Sequence, residues 1–343
     1  MEQCAFLLLV FASILTMVNA REGTPLPLMG EHRCDRNSYV AQGNSFRWSK
    51  RLNPGKPSRT YIKGEYPYAF SKTLQKGQTL YVRGTVNGDA SYFELNLMGG
   101  VPMIIDSNGA DALHIKTTFG WTKQTYVNTW KRNKWLDQIT FAGPFEKGQP
   151  FLISIYAGNS GFELRFNGKK WLDYAYRVPV DVINFINVRG DVDLDNIYVG
   201  GQKFEMNYHI GFHEANNFAI GDRLVLTGIG VYMPFELALN ATNGDYLFYL
   251  QVDFEHQVIT RSAKIQNQWV PDETGGGFPL KSTEEFELAL VNHEEALEIY
   301  FNDKWYTSFG HKNLDLDYNT AFDALQLNGA LEPRTLVLCK NQP

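Results

Sequence analysis

Among the residues that could do chemistry, the densest group is the acidic run Asp191-Val-Asp193-Leu-Asp195. Side chains two apart on a strand share a face, and there they approach the separation of roughly 5 to 5.5 Å that a retaining glycosidase needs between its carboxyl groups. The run also opens like a calcium loop. Its sixth position, however, is Asn196 where such a loop needs glycine, and its twelfth is Gln202 where it needs glutamate. His209 and His213 have the i, i+4 spacing of helical metal ligands, yet Gly211 and strand-like surroundings argue against a helix, and no third ligand follows. The sequence shows no glycine-rich phosphate loop, and its Ser and His residues sit in no recognised triad setting. No metal, no cofactor and no enzymatic activity are expected.

The elements that would position any site are strands. Leu80 to Val86, Phe93 to Leu97 and Phe151 to Tyr156 alternate apolar and polar residues with β-branched and aromatic enrichment, and Gly, Asn and Asp lie between them. Phe166-Asn167-Gly168-Lys169 and Phe301-Asn302-Asp303-Lys304 read as hairpin turns between strand-like runs. The chain also repeats itself. Leu74 to Leu80 followed by Tyr92 to Leu97 recurs as Phe218 to Leu224 followed by Pro234 to Leu239, at offsets of 144 (221 minus 77) and 142 (235 minus 93). Phe162 to Gly168 recurs as Leu297 to Asp303, and Asn187 to Gly190 as Gln326 to Gly329. Two homologous units joined near Gly200-Gly201 explain this, and short strands throughout make each a β-sandwich.

A chain of 343 residues with 44% hydrophobic residues can bury two cores. Its 32 Lys+Arg against 37 Asp+Glu leave a net charge of -5, so no basic field is available to hold nucleic acid. Met1 to Ala20 has the apolar run and small-residue end of a secretory signal peptide, and the run from Ala5 to Val18 is shorter than the roughly 20 residues of a membrane span. No other run approaches a membrane span. Residues 21–60 form a Gly-, Pro-, Ser- and Asn-rich extension with an excess of basic residues. In an oxidising compartment Cys34 and Cys339 can close one disulfide across the mature chain, or remain two free thiols, and Asn240-Ala241-Thr242 is an acceptor triplet for glycosylation.

Several of these segments carry a family. Gly190-Asp-Val-Asp-Leu-Asp-Asn-Ile197, Pro144-Phe145-Glu-Lys-Gly148-Gln-Pro-Phe151 and Phe166-Asn167-Gly168 leading to Tyr176-Arg177-Val178-Pro179 resemble the second half of a galectin domain. Leu113-His114, Tyr126-Val127-Asn128-Thr129-Trp130 and Trp135 follow the order in which galectins place their sugar contacts. The resemblance covers both units and implies an all-β chain of two galectin-like jelly-roll β-sandwiches, concanavalin-like, in tandem. The expected boundaries are 1–20 for the signal peptide, 21–60 for the extension with Cys34, 61–201 for the first domain and 202–343 for the second.

By resemblance the site lies on one concave sheet. A Trp stacks on the C–H-rich face of galactose, while planar amides, carboxylates and guanidinium forks hold its hydroxyls. In the first unit this assigns His114, Asn128 and Trp135, with Lys116 and Thr118 in place of the family's Asn and Arg, and Gln138 and Thr140 in place of its Glu and Arg. Each lost guanidinium removes charge-assisted bonds of roughly 1.5 to 3 kcal/mol, so Lys116 and Gln138 imply altered specificity. In the second unit Trp269 matches; Gln251, Asp253 and Glu255 fill the His, Asn and Arg places, and Arg261 stands for the later Asn. Asp253, Glu255, Arg261 and Trp269 are the candidate contacts there. The acidic run from Asp191 falls on a scaffold strand of this family, and the second unit has Asn328-Gly329-Ala330-Leu331-Glu332 in its place, which rejects hydrolysis. The expected protein is a secreted lectin binding galactosides or related glycans, mainly through the first unit. The reading from another class is a module that keeps the sandwich, has lost sugar binding and engages protein partners.

Overall fold

The computed structural model describes residues 39–40, 46–49, 65–70, 72–101, 109–204, 207–212 and 217–340. The segment 1–20 and Cys34 lie outside them. In chain order the strands are β1 (Tyr39–Val40), β2 (Phe46–Ser49), β3 (Glu65–Ala69), β4 (Thr79–Val86), β5 (Tyr92–Gly99), β6 (Ala110–Phe119), β7 (Lys123–Lys131), β8 (Lys134–Trp135), β9 (Ile139–Ala142), β10 (Pro150–Ala157), β11 (Gly161–Phe166) and β12 (Lys169–Ala175). They continue with β13 (Ile183–Gly190), β14 (Val192–Gly200), β15 (Tyr208–Gly211), β16 (Arg223–Asn240), β17 (Tyr246–Asp253), β18 (Val258–Ile265), β19 (Gln268–Trp269), β20 (Glu285–Asn292), β21 (Ala296–Phe301), β22 (Lys304–Gly310) and β23 (Ala324–Cys339).

The first unit is a sandwich of two antiparallel sheets, β12-β11-β10-β4-β14-β2 and β3-β13-β5-β6-β7-β8, with β9 also on β7. The second repeats this plan. There β16 and β23 are long enough to run through both layers, so its strands form one continuous sheet folded on itself, with register shifts between Gly230 and Phe235 where β16 bends. The cores match in detail. Phe93 stacks on Phe151 with ring centroids 5.3 Å apart, and their repeat partners Phe235 and Phe286 stack at 5.6 Å. Both expected hairpin turns form. Asn167 and Gly168, and likewise Asn302 and Asp303, take positive φ, which the tight two-residue hairpin turn demands. The Asn side chains then accept backbone N–H bonds from Leu152 at 2.8 Å and Glu287 at 2.9 Å.

The extension contributes two short strands. β2 extends the first unit beside β14, and β1 lies against the second unit with Tyr39 opposite Leu338. The acidic run divides. Asp191 accepts backbone N–H bonds from Ser91 and Tyr92 at the end of β5, while Asp193 and Asp195 lie on β14, where Asp195 pairs with Arg83. Among the described residues no group of three His, Cys, Asp or Glu is placed to hold a metal ion, and no helix is long and apolar enough to cross a membrane. His209 lies on β15 opposite Gln326 rather than on a helix, and His213 lies outside the described residues.

The two units pack back to back through their outer sheets. Tyr81, Leu152 and Tyr198 of the first form one buried cluster with Val225, Ala289, Val337 and Cys339 of the second. Glu285 crosses this interface fully buried. Tyr81 donates its hydroxyl to Glu285 Oε1 at 2.8 Å, and Ser154 donates to Oε2 at 3.0 Å. Burial pushes the Glu285 carboxyl up from its ordinary value, with Tyr81, Arg334 and Ser154 pulling it back. The Tyr81 phenol is held well above its ordinary range by burial and by Glu285, and so stays a donor. Beside them Arg334 donates to Glu163 at 2.7 Å, with its guanidinium 3.9 Å over the Tyr156 ring, and Arg165 reaches the Thr283 carbonyl at 2.8 Å. Burial pushes Glu163 up, but Arg334, Arg165 and Lys170 outweigh it and hold the carboxyl below its usual value. The connector fits tightly. At Gly201, φ is +90° and an added Cβ would lie 2.3 Å from the Arg334 carbonyl, so glycine alone is accommodated.

Replacing Glu285 by Ala strands two buried hydroxyls, each worth on the order of 1–3 kcal/mol when left unpaired. Glu285→Ala is therefore expected to lower the urea midpoint clearly, while Glu285→Gln, which keeps an acceptor oxygen, loses much less. Equal stability of the Ala variant and the parent chain would show that the hydroxyls find other partners.

Candidate functional site

In the first unit, cross-strand pairing lays polar residues in rows over the face of β13, β5, β6 and β7 that points away from the core, most of them with little surface exposed. One row is Asn187, Asn96, His114 and Asn128; the next is Arg189, Glu94, Lys116 and Tyr126, continued by Thr140 on β9. Alternation places these residues on one side while Leu95, Leu97, Leu113 and Ile115 enter the core. A bulge at Ala112 then brings Asp111 onto the same face as His114, opposite Met98 and Trp130.

The hairpin between β7 and β8 sets the tryptophan. Arg132 and Asn133 both take positive φ, and the tight turn pairs Trp135 with Trp130. Trp135 stays 43% exposed, its ring 4.7 Å from the His114 imidazole and edge-on to Trp130 at 5.4 Å. It is a surface ring bordering a groove, not part of the core. His114, Lys116, Asn128 and Trp135 therefore converge on one face, and Gln138 stands at its rim, donating to Thr140 at 3.1 Å.

The His114 imidazole is held firmly. Nδ1 lies 2.6 Å from Asn96 Oδ1, an acceptor, so Nδ1 carries the proton and neutral His114 offers Nε2 as a lone pair. Asp111 Oδ2 lies 3.4 Å from the same nitrogen, a contact that becomes an ion pair only when His114 is protonated, and neither Asp111 oxygen has a hydrogen-bond donor. Burial pushes the Asp111 carboxyl up to about 6, with His114 pulling it back. In the adjacent row Glu94 pairs with both Arg189 and Lys116, and Lys116 also lies 4.8 Å over the Tyr92 ring. Resemblance did not single out Asn96, Asp111, Glu94 or Arg189. The polar alternation of Glu94 and Asn96 along β5 is the signal that marks their face.

The second unit repeats the same geometry with different side chains. Its bulge falls at Leu247, so Ala238 pairs with Tyr249, Tyr249 with Ser262, and Tyr246 with Lys264. By register, Tyr249 occupies the place of His114, Ala238 that of Asn96, Ser262 that of Asn128, Tyr246 that of Asp111, Gln251 that of Lys116 and Asn328 that of Arg189. This corrects the sequence alignment, which put Gln251 at the His position and Arg261 at the Asn position. A one-residue slip sends a strand residue to the opposite face. Arg261 is accordingly 3% exposed on the inner side, bonded to the Ile259 carbonyl and lying over the Tyr306 ring. Asp253 falls on the same face as Tyr249 and Gln251, at the register place of Thr118, with its carboxyl engaged as a turn cap. It accepts from the backbone N–H groups of Glu255 and His256 and from the His256 ring, bonds that hold its carboxyl below the ordinary value. Glu255 is exposed in that same turn.

Of the second-unit candidates, Trp269 is the one that stands against the tyrosines, set by the turn Gln266-Asn267 with both residues at positive φ. It is 51% exposed and meets Tyr249 at 5.0 Å and Tyr246 at 5.8 Å. Asn240, the asparagine of the acceptor triplet, lies at a strand end. It is 9% exposed at the end of β16, paired with Tyr246 and Ala324, so the folded chain does not present its amide as a glycosylation acceptor in a loop would.

The family model for galactoside-binding lectins matches residues 65–199 and 211–332. The 32 kDa beta-galactoside-binding lectin of Caenorhabditis elegans is 28% identical over 274 residues, covering 78% of this chain and 95% of that protein. Its namesake in Haemonchus contortus is 28% identical over 270 residues, covering 78% and 92%. Galectin-7 of Homo sapiens is 30% identical over 128 residues, which is 37% of this chain and 90% of that protein. With both sandwiches matched and both grooves in the same register, the chain belongs to the galactoside-binding lectin family and carries two galectin domains in tandem.

Proposed function

We propose that this is a secreted galectin that binds galactoside-type glycans mainly through its first domain and catalyses no reaction. The observation that carries this reading is the convergence of His114, Asn128, Lys116 and the exposed Trp135 on one face, with His114 locked by Asn96. A pyranose laid on Trp135 meets the Nε2 acceptor of His114 and the Asn128 amide. Arg189 adds a guanidinium to the same row as Lys116, partly offsetting the Arg positions that Thr118 and Thr140 vacate. The names of the two nematode relatives support galactosides as the ligand class. Secretion is supported by the apolar run in 1–20, and one disulfide joining Cys339 to an upstream cysteine would accord with it. For the partner of Cys339, Cys34 is favoured, because β1 brings the chain a few residues beyond it to Leu338.

The test is a glycan array probed with the full chain beside Trp135→Ala. Loss of at least about tenfold in galactoside affinity, worth roughly 1.4 kcal/mol, with a thermal midpoint within a few degrees of the parent, assigns the activity to this groove. Silence of the folded parent chain on the array would favour the reading in which the sandwich serves protein contacts.

The Asp111 carboxyl makes a second prediction. Its folded value of about 6 stands above its ordinary 3.8, so the folded state binds its proton more tightly than the unfolded state. The stability tied to that proton is complete below the ordinary value and is lost as pH rises through about 6. Asp111→Asn is expected to flatten the fall in thermal midpoint across that window. An unchanged profile would show that Asp111 does not titrate there.

A further inference from the structure

The second groove keeps the register and the tryptophan of the first but replaces its polar centre. Where the first has Asp111, Asn96, His114 and Asn128, the second has Tyr246, Ala238, Tyr249 and Ser262. The tyrosine rings stack with centroids 6.5 Å apart and only 12° between their planes, and Trp269 meets them at 61° and 68°. The result is two apolar walls at a steep angle. Ser262 does not restore the lost amide, because its hydroxyl is spent on the Val270 carbonyl at 2.9 Å. Polar groups persist one row away, where Gln251 lies 3.5 Å from Glu236 Oε1 and 3.4 Å from the Tyr249 hydroxyl.

We propose that this groove binds a pyranose without axial hydroxyls, of the β-glucosyl or β-N-acetylglucosaminyl type, and not a galactoside. The inference rests on the reading of the chain as a glycan-binding protein and names the ligand of its second domain. A galactose ring carries one axial hydroxyl. The Tyr249 hydroxyl is engaged by Gln251 in the next row, so an axial hydroxyl laid on the Tyr249 ring face and Ala238 meets no imidazole or amide, and a buried hydroxyl left unpaired costs on the order of 1–3 kcal/mol. An all-equatorial ring presents C–H groups on both faces and directs its hydroxyls outward around the rim. One face packs on Trp269, an edge packs on the tyrosines, and equatorial hydroxyls reach Glu236 and Gln251. The charges differ as well. Lys116 and Arg189 of the first groove become Gln251 and Asn328, the acid persists as Glu236, and the cation of the second groove is instead Lys264, paired with Trp269 and 5.9 Å over the Tyr246 ring.

The test measures binding of the full chain to multivalent β-galactosyl, β-glucosyl and β-N-acetylglucosaminyl conjugates, in the parent, in Trp135→Ala and in Tyr249→Ala, each checked for folding by its thermal transition. Expected is binding of at least one all-equatorial conjugate that survives Trp135→Ala and falls at least about tenfold in Tyr249→Ala. A further variant, Tyr249→His with Ala238→Asn, rebuilds the imidazole and amide pair of the first groove and is expected to move preference toward the galactosyl conjugate. It also keeps the test open should Tyr249→Ala fail to fold. Absence of binding to both all-equatorial conjugates overturns the inference, as does binding lost in Trp135→Ala but kept in Tyr249→Ala. Galactosyl binding lost in Trp135→Ala reports separately on the first groove, so failure of one reading leaves the other standing.

Discussion

The arrangement of the whole chain depends on one dry interface with a carboxyl at its centre. Glu285 belongs to the second unit, yet its hydrogen-bond donors Tyr81 and Ser154 belong to the first. A buried acid is costly unless its oxygens are paired, so sliding one unit over the other breaks a bond that water cannot readily replace. The Tyr81, Leu152, Tyr198, Val225, Ala289 and Val337 contacts supply apolar burial without direction, whereas Glu285 and the Arg334–Glu163 pair fix the register. Because the outer sheets are consumed in this contact, the two groove-bearing sheets face away from one another.

That geometry separates two demands on each strand. In β5, Leu95 and Leu97 maintain the core while Glu94 and Asn96 form the groove. In β16, Leu237 and Leu239 repeat the core while Ala238 stands in for Asn96. The period of two lets groove residues change without disturbing the packed face. This is how the domains retain the same Phe pairs and hairpins while their sites diverge from a charged cluster to an aromatic one.

Much of the fold was legible for the same reason. The repeat, the Asn-Gly and Asn-Asp turns and the strand alternation are local signals, and each found its place. The tryptophans were legible because a two-residue hairpin carries them at a constant distance from β7 and β18. The second groove was misread because its pairing is not local. Gly99 to Ala110 in the first unit is a longer connection than Asn240 to Tyr246 in the second, and each unit carries a bulge just beyond it, at Ala112 and Leu247. An alignment that misplaces this length difference slips β17 by two positions and β18 by one, which overlooks Tyr249 and moves Arg261 from the core to the groove. The interface left a trace that went unread. Leu80-Tyr81-Val82 and Leu336-Val337-Leu338 are apolar at consecutive positions, as strands buried on both faces must be.

The short strands of the extension follow from that same interface. β1 and β2 are too brief to show alternation, so no pattern in residues 21–60 announces them. They gain order by pairing with edges that the domains already present, β2 with β14 of one unit and β1 with β23 of the other. A single stretch of chain thereby touches both sandwiches. The pairing at Tyr39 also places the residues next to the buried Cys339 strand end, so a covalent tie there would close around a contact already specified by Glu285. Such a tie would hold the same docking that the carboxyl specifies.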